Sequence, residues 1–254
     1  MTKANLSKTL LVCLAQTGSV FFAHSVSAQY TSEIGVGLGG LVYKGELSPS
    51  YQFKNNRPAI TAFYRRDISA PITLRGALVA GLLRADDGNV KGDNGNVPPL
   101  QAYRQANMKG SLYEASAVLE YNFFDYHYRK AKIHFTPYVF FGLAGFLAST
   151  TTATDNAALP SLNQKGNMLG IAVPAGFGFK YALSNRWNLG LEAGARKAFT
   201  DKLDHIDGKS NGQTDVVGNP HDQDWYFFNG FTISYTFYKI NCPPQYKENP
   251  KLLR

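Results

Sequence analysis

The chain has 254 residues, of which only 17% are charged and 13% are aromatic, and it contains 24 glycines. This composition is typical neither of a disordered chain nor of a coiled coil. Beyond the N-terminus, no run of residues approaches the roughly 18 apolar positions of a membrane-spanning helix. Two classes remain open. One is a soluble all-β domain, and the other is a membrane β-barrel, whose strands alternate apolar and polar residues and therefore contain no long apolar run. The net charge is +8, but the basic residues are scattered, so we expect no nucleic-acid partner.

The first 28 residues have the order of a secretory signal peptide. Lys3 and Lys8 supply a basic region, an apolar stretch follows, and the small residues at positions 26–28 suit a cleavage site. We therefore expect residues 1–28 to be cleaved and the protein to be exported. One cysteine, Cys242, remains after cleavage. The fold therefore cannot depend on an internal disulfide, while a disulfide to another chain stays open.

Eight segments of the exported chain alternate with period two, which predicts β-strands rather than helices. In chain order they span residues 33–43, 57–66, 72–83, 111–124, 135–148, 169–181, 187–197 and 224–238. The fourth alternates most clearly, with Tyr113, Leu119 and Tyr121 on one face and Glu114 and Glu120 on the other. The second alternates weakly. The fifth is apolar on both faces, which leaves its inward register ambiguous.

The connections between these segments alternate in length. Three are short, at residues 67–71, 125–132 and 182–186. Four are long and polar, at residues 44–56, 85–107, 149–168 and 198–223. An even strand number with short turns at one end and long loops at the other is the pattern of an outer-membrane barrel. We predict an all-β fold: an eight-stranded antiparallel up-and-down transmembrane barrel over residues 29–238, followed by a periplasmic tail over residues 239–254.

The polar faces of the strands favour this membrane barrel over a secreted lipocalin-like barrel. They carry Gly, Ser, Thr and Asn with isolated charges, whereas the apolar faces end in aromatic residues such as Trp187 and Phe237. The polar faces should then point inward. Six residues are predicted to form a balanced charge network in the lumen: Arg75, Glu114, Glu120, Lys180, Glu192 and Arg196. Because eight strands leave an interior that side chains fill, we expect a plugged lumen. The partner of Arg196 stays open between Glu192 and Glu120.

The last long loop holds the best candidate for catalytic or metal chemistry. Acidic residues and histidines gather around it, namely Asp201, Asp204, His205, Asp207, His221, Asp222 and Asp224. Such a group at a barrel mouth would suit a hydrolase or a metal site. However, the chain has no HExxH spacing, calcium-loop order or G-x-S-x-G context. We expect a solvated loop and predict no catalytic residue, no cofactor and no metal.

Aromatic and basic residues at the short-turn end predict a partner surface. An even strand number places both ends of the barrel beside the short turns, which are periplasmic in outer-membrane barrels. Tyrosine and arginine are favoured anchors of protein interfaces. The predicted contact residues are Tyr126, Tyr128, Arg129, Lys130, Lys132 and, in the tail, Tyr246.

Short motifs recur in a fixed order along the chain, each weak when taken alone. They include residues 33–35 (Glu-Ile-Gly), 43–47 (Tyr-Lys-Gly-Glu-Leu), 120–123 (Glu-Tyr-Asn-Phe), 137–142 (Pro-Tyr-Val-Phe-Phe-Gly) and 224–226 (Asp-Trp-Tyr). With them, the chain resembles the PorG-like family of Bacteroidota outer-membrane barrels over nearly all of residues 29–243. Gly-Glu-Leu at residues 45–47 is a mild departure, since Gly-Asp-Leu is more usual there.

The resemblance implies a non-enzymatic component of the type IX protein-secretion system or of a gliding apparatus. Such a barrel sits among outer-membrane lipids with both termini in the periplasm, and it contacts a periplasmic ring of PorK- and PorN-like proteins. The family carries no catalytic residues that transfer to this chain. Two alternatives remain: a barrel enzyme that uses the Asp/His-rich loop, and a small pore or adhesin.

Overall fold

The computed structural model describes residues 31–92, 94–126, 134–200, 203 and 224–238. Eight antiparallel strands pair in chain order, and the first pairs with the last to close a barrel. The strands are β1 (Thr31–Lys44), β2 (Arg57–Asp67), β3 (Ile72–Asp86), β4 (Ala106–Asn122), β5 (Phe135–Thr154), β6 (Gln164–Ala182), β7 (Trp187–Ala198) and β8 (Trp225–Tyr238). The predicted eight-stranded up-and-down barrel is confirmed. The predicted signal peptide and C-terminal tail lie outside the described residues.

Within the described residues, helical structure is limited to short pieces in the long loops. One α-helix, α1, spans Pro99–Arg104, and 3-10 turns span Phe53–Asn55, Asp87–Asn89 and Pro160–Leu162. In the described part of the chain, no helix has both the length and the apolar character needed to cross a membrane.

Side chains alternate between the two faces of the barrel wall. In β4, Tyr113 and Leu119 are exposed, whereas Glu114 and Glu120 are buried. The same alternation resolves the ambiguous register of β5. There Tyr138 and Phe140 point into the lumen with exposures of 1% and 4%, and the intervening residue of the strand faces outward.

The outer surface of the barrel is apolar on every strand. Its exposed hydrophobic residues include Leu38, Ile60, Leu78, Leu119, Leu143, Ile171, Leu191 and Phe231. Toward the short-turn end, exposed aromatic rings such as Tyr121, Trp187 and Phe237 follow. A continuous apolar surface of this extent is far larger than water-soluble monomers expose, and with a polar interior it is the arrangement of a transmembrane barrel. A secreted lipocalin-like barrel would require the opposite arrangement, with apolar residues inside and polar residues outside.

The two ends of the barrel differ in their connections. Tight turns close β2–β3 and β6–β7, where Ile68 N–H donates to Ile72 O and Leu183 N–H donates to Trp187 O, each at 2.9 Å. Thr31 pairs with Tyr238 at this same end. Both ends of the described barrel therefore lie on the short-turn side.

The strands beside the second and third long loops are longer than the sequence predicts. β4 begins at Ala106 rather than at residue 111, β5 ends at Thr154 rather than at residue 148, and β6 begins at Gln164 rather than at residue 169. These extensions, with the end of β3, form what we call the raised sheet: residues 82–86, 106–111, 149–154 and 164–167. Apart from Leu82 and Ala153, its outward residues are polar, so the apolar alternation that marks a membrane strand fades while the hydrogen-bonded ladder continues.

Packed loops close the barrel at the long-loop end. Leu47, Leu159 and Leu203 from three loops join inward residues such as Met108 and Phe146 in one buried apolar cluster. Beside it, Arg104 forms a buried ion pair within the second loop and ties that loop to the first through a hydrogen bond. The Arg104 guanidinium donates to Asp87 through Nε at 2.9 Å and Nη2 at 2.7 Å, and Nη2 also donates to Glu46 O at 2.8 Å. Arg104 and Asp87 are each 1% exposed.

Candidate functional site

Charged side chains of both signs fill the lumen below this apolar cluster. Eight of them form what we call the lumen charge network: Glu33, Arg65, Arg75, Glu114, Glu120, Lys180, Glu192 and Arg196. None of the eight exceeds 7% exposure. The network has four acids and four bases and is therefore neutral as a set. A balanced set is what burial demands, since an isolated charge in a dry interior carries a large desolvation cost.

Glu120 is the centre of the network. Its Oε1 lies 3.1 Å from Nε of Arg65 and 3.0 Å from Nε of Arg75, and its Oε2 lies 2.5 Å from Nζ of Lys180. Lys180 also donates to Asn122 Oδ1 at 2.9 Å. One carboxylate therefore joins β2, β3 and β6 across the lumen from its own position on β4.

The network continues from Glu120 toward the long-loop end. Arg75 pairs with Glu192, which also accepts from the Tyr138 hydroxyl at 3.0 Å. Arg196 follows, with Nη2 at 3.6 Å from Glu192 Oε1 and Nε at 3.5 Å from Glu114 Oε2. Positive and negative groups therefore alternate without interruption until Glu114, close to the apolar cluster.

The network also continues from Glu120 toward the short-turn end. Arg65 Nη1 lies 3.5 Å from Glu33 Oε2, so Arg65 bridges the two carboxylates. Glu33 Oε1 accepts hydrogen bonds from the Tyr126 hydroxyl at 2.8 Å and from Asn188 Nδ2 at 2.9 Å. Glu33 Oε2 accepts from Ser234 Oγ at 3.1 Å. These bonds join β1, β7, β8 and the turn after β4 at the mouth of the barrel.

Inward aromatic rings pack against the cations of the network. The Arg65 guanidinium lies 4.2 Å from the Phe63 ring centroid, and the Lys180 ammonium lies 4.6 Å from that of Tyr138. Further up, Arg75 lies over Phe140 and Arg196 over Phe228. Such cation–π contacts fill the lumen with apolar volume while they stabilise the buried positive charge.

All six residues that the sequence singles out for the lumen lie in this network. Arg196 pairs with Glu192, one of its two expected partners, but its second partner is Glu114 rather than Glu120. Sequence reasoning missed Glu33 and Arg65. A signal was present for both, because Glu33 has the same parity as the glycines of β1 and Arg65 lies opposite the apolar face of the weakly alternating β2.

The prediction that Tyr126 contacts a partner is wrong. Its side chain is 4% exposed and folds into the barrel mouth, where the hydroxyl donates to Glu33 and the ring lies 5.5 Å from the Lys180 ammonium. Burial, together with the Glu33 carboxylate, raises the pKa of the Tyr126 phenol well above its ordinary value, so the phenol remains a hydrogen-bond donor. For an aromatic residue next to a barrel mouth, burial of the ring inside the mouth is more favourable in free energy than exposure to water.

The other predicted contact residues lie outside the described part of the chain: Tyr128, Arg129, Lys130, Lys132 and Tyr246. The same holds for most of the Asp/His-rich loop, namely Asp201, Asp204, His205, Asp207, His221 and Asp222. Its remaining member, Asp224, is fully buried and accepts hydrogen bonds from the Tyr43 hydroxyl at 2.5 Å and from Leu203 N–H at 2.9 Å. Asp224 thus fastens a loop to β1. Among the described residues, no three His, Cys, Asp or Glu side chains group as metal ligands would.

The burial of the lumen determines what this interior can do chemically. Water in a continuous channel would expose the inward side chains, yet in the described wall Arg75, Glu120 and Lys180 are 4%, 1% and 1% exposed. Each charge is neutralised by partners on other strands. The interior is therefore a locked structural core that crosses the barrel, rather than a path for solutes.

Three solved structures are similar to this chain at low identity. Ail, the attachment invasion locus protein of Yersinia pestis, is 10% identical, with a TM-score of 0.44 over 83% of this chain and 100% of that chain. Neisserial surface protein A is 13% identical, with a TM-score of 0.42 over 82% and 96%. A major outer membrane protein from Thermus thermophilus is 15% identical, with a TM-score of 0.46 over 81% and 99%. Likeness at this level says nothing about function.

No curated protein is similar in sequence to this chain. One family model, described as Domain of unknown function (DUF6089), matches residues 10–245. The match includes all eight strands and both ends of the barrel. The chain therefore belongs to the DUF6089 family.

Proposed function

We propose that this protein is an integral outer-membrane barrel that acts as a non-enzymatic anchor or scaffold of a type IX protein-secretion machine or a gliding apparatus. Its short turns and both termini face the periplasm, where the short-turn end contacts a ring of PorK- and PorN-like proteins. The observation that carries the proposal is the filled, neutral lumen inside an apolar outer wall. A barrel of this kind offers only its two ends to partners.

The rigidity of the interior supports an anchoring role. Glu120 joins four strands through three cations, and Glu33 joins the barrel mouth to the turn after β4 through Tyr126. A load applied at the short-turn end is therefore distributed around the wall through buried ion pairs. Removing Glu120, the shared partner of three cations, leaves buried charge uncompensated, which costs several kcal/mol.

The rival functions use other parts of the molecule. A pore needs an open lumen, and the buried network opposes one. An enzyme would use the Asp/His-rich loop, and its one described member, Asp224, is occupied in fastening Leu203 and Tyr43. An adhesin would use the long loops. Secretion that survives Asp204→Asn and His205→Gln but fails on deletion of the gene would separate the anchor from the enzyme.

Site-specific photo-crosslinking in living cells tests which end meets the machine. One probe is placed at Tyr128, in a connection that the sequence predicts to be a short turn, and a second at Asn185 in the β6–β7 turn. A third, at Asn94, occupies an exposed long loop. The short-turn probes should trap a periplasmic ring component, and the Asn94 probe should not. Capture of a ring component by the Asn94 probe alone would overturn both the orientation and the partner surface. Normal outer-membrane levels of each probe variant are the control.

A further inference from the structure

Three positive residues lie in one cross-strand row on the outward face of the raised sheet. Arg84 of β3 pairs directly with Lys109 of β4, Lys109 pairs with Thr151 of β5, and Thr151 pairs with Lys165 of β6. Directly opposed residues on one face of an antiparallel sheet have Cβ atoms about 4.5–5.5 Å apart. Arg84, Lys109 and Lys165, which we call the cation row, therefore lie at one level across four adjacent strands, with Thr151 between the two lysines.

The charges of the cation row are poorly compensated within the protein. Lys109 and Lys165 are exposed, and neither has an ion-pair partner among the described residues. Arg84 has one weak pair, with Nη2 at 3.5 Å from Asp86 Oδ2 in a half-exposed setting. Like charges that face each other across a ladder destabilise a sheet. The Arg84–Lys109 pairing therefore opposes folding, and an external anion would relieve that repulsion.

The cation row lies near the edge of the apolar outer surface of the barrel. Two residues toward the membrane on the same face lie Leu82, Ser111, Ser149 and Asn167, which pair in that order, and Leu82 is 50% exposed. Two residues further lie Tyr113, Leu147 and Leu169, exposed by 58%, 56% and 78%.

The backbone of the cation row lies just beyond the headgroup region of a bilayer. Four residues of a strand span about 13 Å, and less once the tilt of the strands is projected onto the barrel axis. The headgroup region adds roughly 5–8 Å to each side of the hydrocarbon core. Lysine and arginine side chains then extend to the level of lipid phosphates.

We propose that the cation row binds the phosphate groups of an anionic glycolipid in the membrane leaflet on the long-loop side, which is the outer leaflet. Charge complementarity selects a phosphorylated headgroup. The sideways orientation of the row, around the barrel wall rather than over its top, selects a lipid rather than a soluble ligand. The inference rests on the proposed outer-membrane placement and is independent of the role in secretion.

Direct binding of a lipid probe tests the site. The purified full chain in neutral detergent micelles is titrated with fluorescent diphosphorylated lipid A, and Lys109→Gln/Lys165→Gln is compared with wild type. Lys54→Gln/Lys91→Gln is the matched control, because it removes the same charge from exposed loop positions outside the row. Each basic residue at an anionic surface changes the binding affinity roughly fivefold. The row variant, which lacks two of them, should therefore bind about 30-fold more weakly. The control should bind within about threefold of wild type, and wild-type binding should weaken as salt rises.

The outcomes separate this inference from the proposed function. Heat-modifiable migration on gels shows that every variant holds a folded barrel, and the short-turn crosslinks report the secretion role on their own. Equal lipid binding by wild type and the row variant would overturn the cation row as a site. An equal loss in both charge-removal variants would show that net charge, rather than the row, governs the binding.

Discussion

Replacing Glu120 with glutamine removes the centre of the lumen charge network while keeping its volume. Arg65, Arg75 and Lys180 all lie within 3.1 Å of the two oxygens of this one carboxylate. Removing one partner of a buried ion pair costs about 3–5 kcal/mol. Three cations lose their common partner here, so we expect Glu120→Gln to fall at the upper end of that range. This is a large part of a typical stability of roughly 5–15 kcal/mol.

Urea unfolding of the barrel refolded in lipid vesicles measures this loss. Glu114→Gln is the matched control, since among the described residues Glu114 has one ion pair at 3.5 Å and one hydrogen bond from Tyr226 at 2.8 Å. It should cost roughly 1.5–3 kcal/mol, the range of hydrogen bonds to charged groups. Adding Lys180→Met to Glu120→Gln removes one uncompensated cation and should restore about 1–2 kcal/mol. A Glu120→Gln variant within about 1 kcal/mol of wild type, or less affected than Glu114→Gln, would refute the network as a stabilising core.

Two further predictions test the outer wall and the loops. Leu119 faces outward and is 54% exposed, so Leu119→Arg should cost about 2–4 kcal/mol near the bilayer midplane in the same urea assay. Leu119→Met should leave the stability nearly unchanged. A Leu119→Arg variant as stable as wild type would mean that this surface does not face hydrocarbon. Arg104→Leu breaks the buried ion pair with Asp87, which should lower the stability of the packed loops by about 3–5 kcal/mol. The barrel itself should be unaffected. Limited proteolysis should then cut the second long loop, while the barrel still migrates as a heat-modifiable band. Uncut loops would contradict that role of the pair.

The fold was predictable because a membrane strand repeats one simple rule. Outward positions must be apolar and inward positions must suit a crowded lumen, so period two was visible in most segments. The rule failed in two places for physical reasons. In β5 the lumen itself takes aromatic residues, Tyr138 and Phe140, which stack against the cations and remove the contrast between the faces. In the raised sheet the outward face meets water and headgroups, so Lys109, Thr151 and Lys165 replace apolar residues although the ladder continues.

The lumen charge network was predictable in composition but not in pairing. The period-two alternation of a strand predicts which of its residues point into the barrel. Which of these residues form ion pairs depends on the stagger of the strands around the closed wall, and the sequence of a single strand does not determine that stagger. Arg196 therefore reaches Glu114 on β4, a strand that is not its neighbour. The fate of Tyr126 depends on the same long-range closure. Its side chain enters the mouth, where Glu33, far away in sequence, offers an acceptor.

Conductance across a planar lipid bilayer tests the central claim most directly, because the claim is that the barrel wall encloses a filled, ion-paired core rather than a channel. The purified full chain should insert without producing steady currents, at either polarity and at high salt. Glu120→Gln is an informative companion, since loosening the core should yield brief, noisy openings. Steady, reproducible open-channel currents from the wild-type protein would contradict the filled lumen and, with it, the assignment of the protein as an anchor.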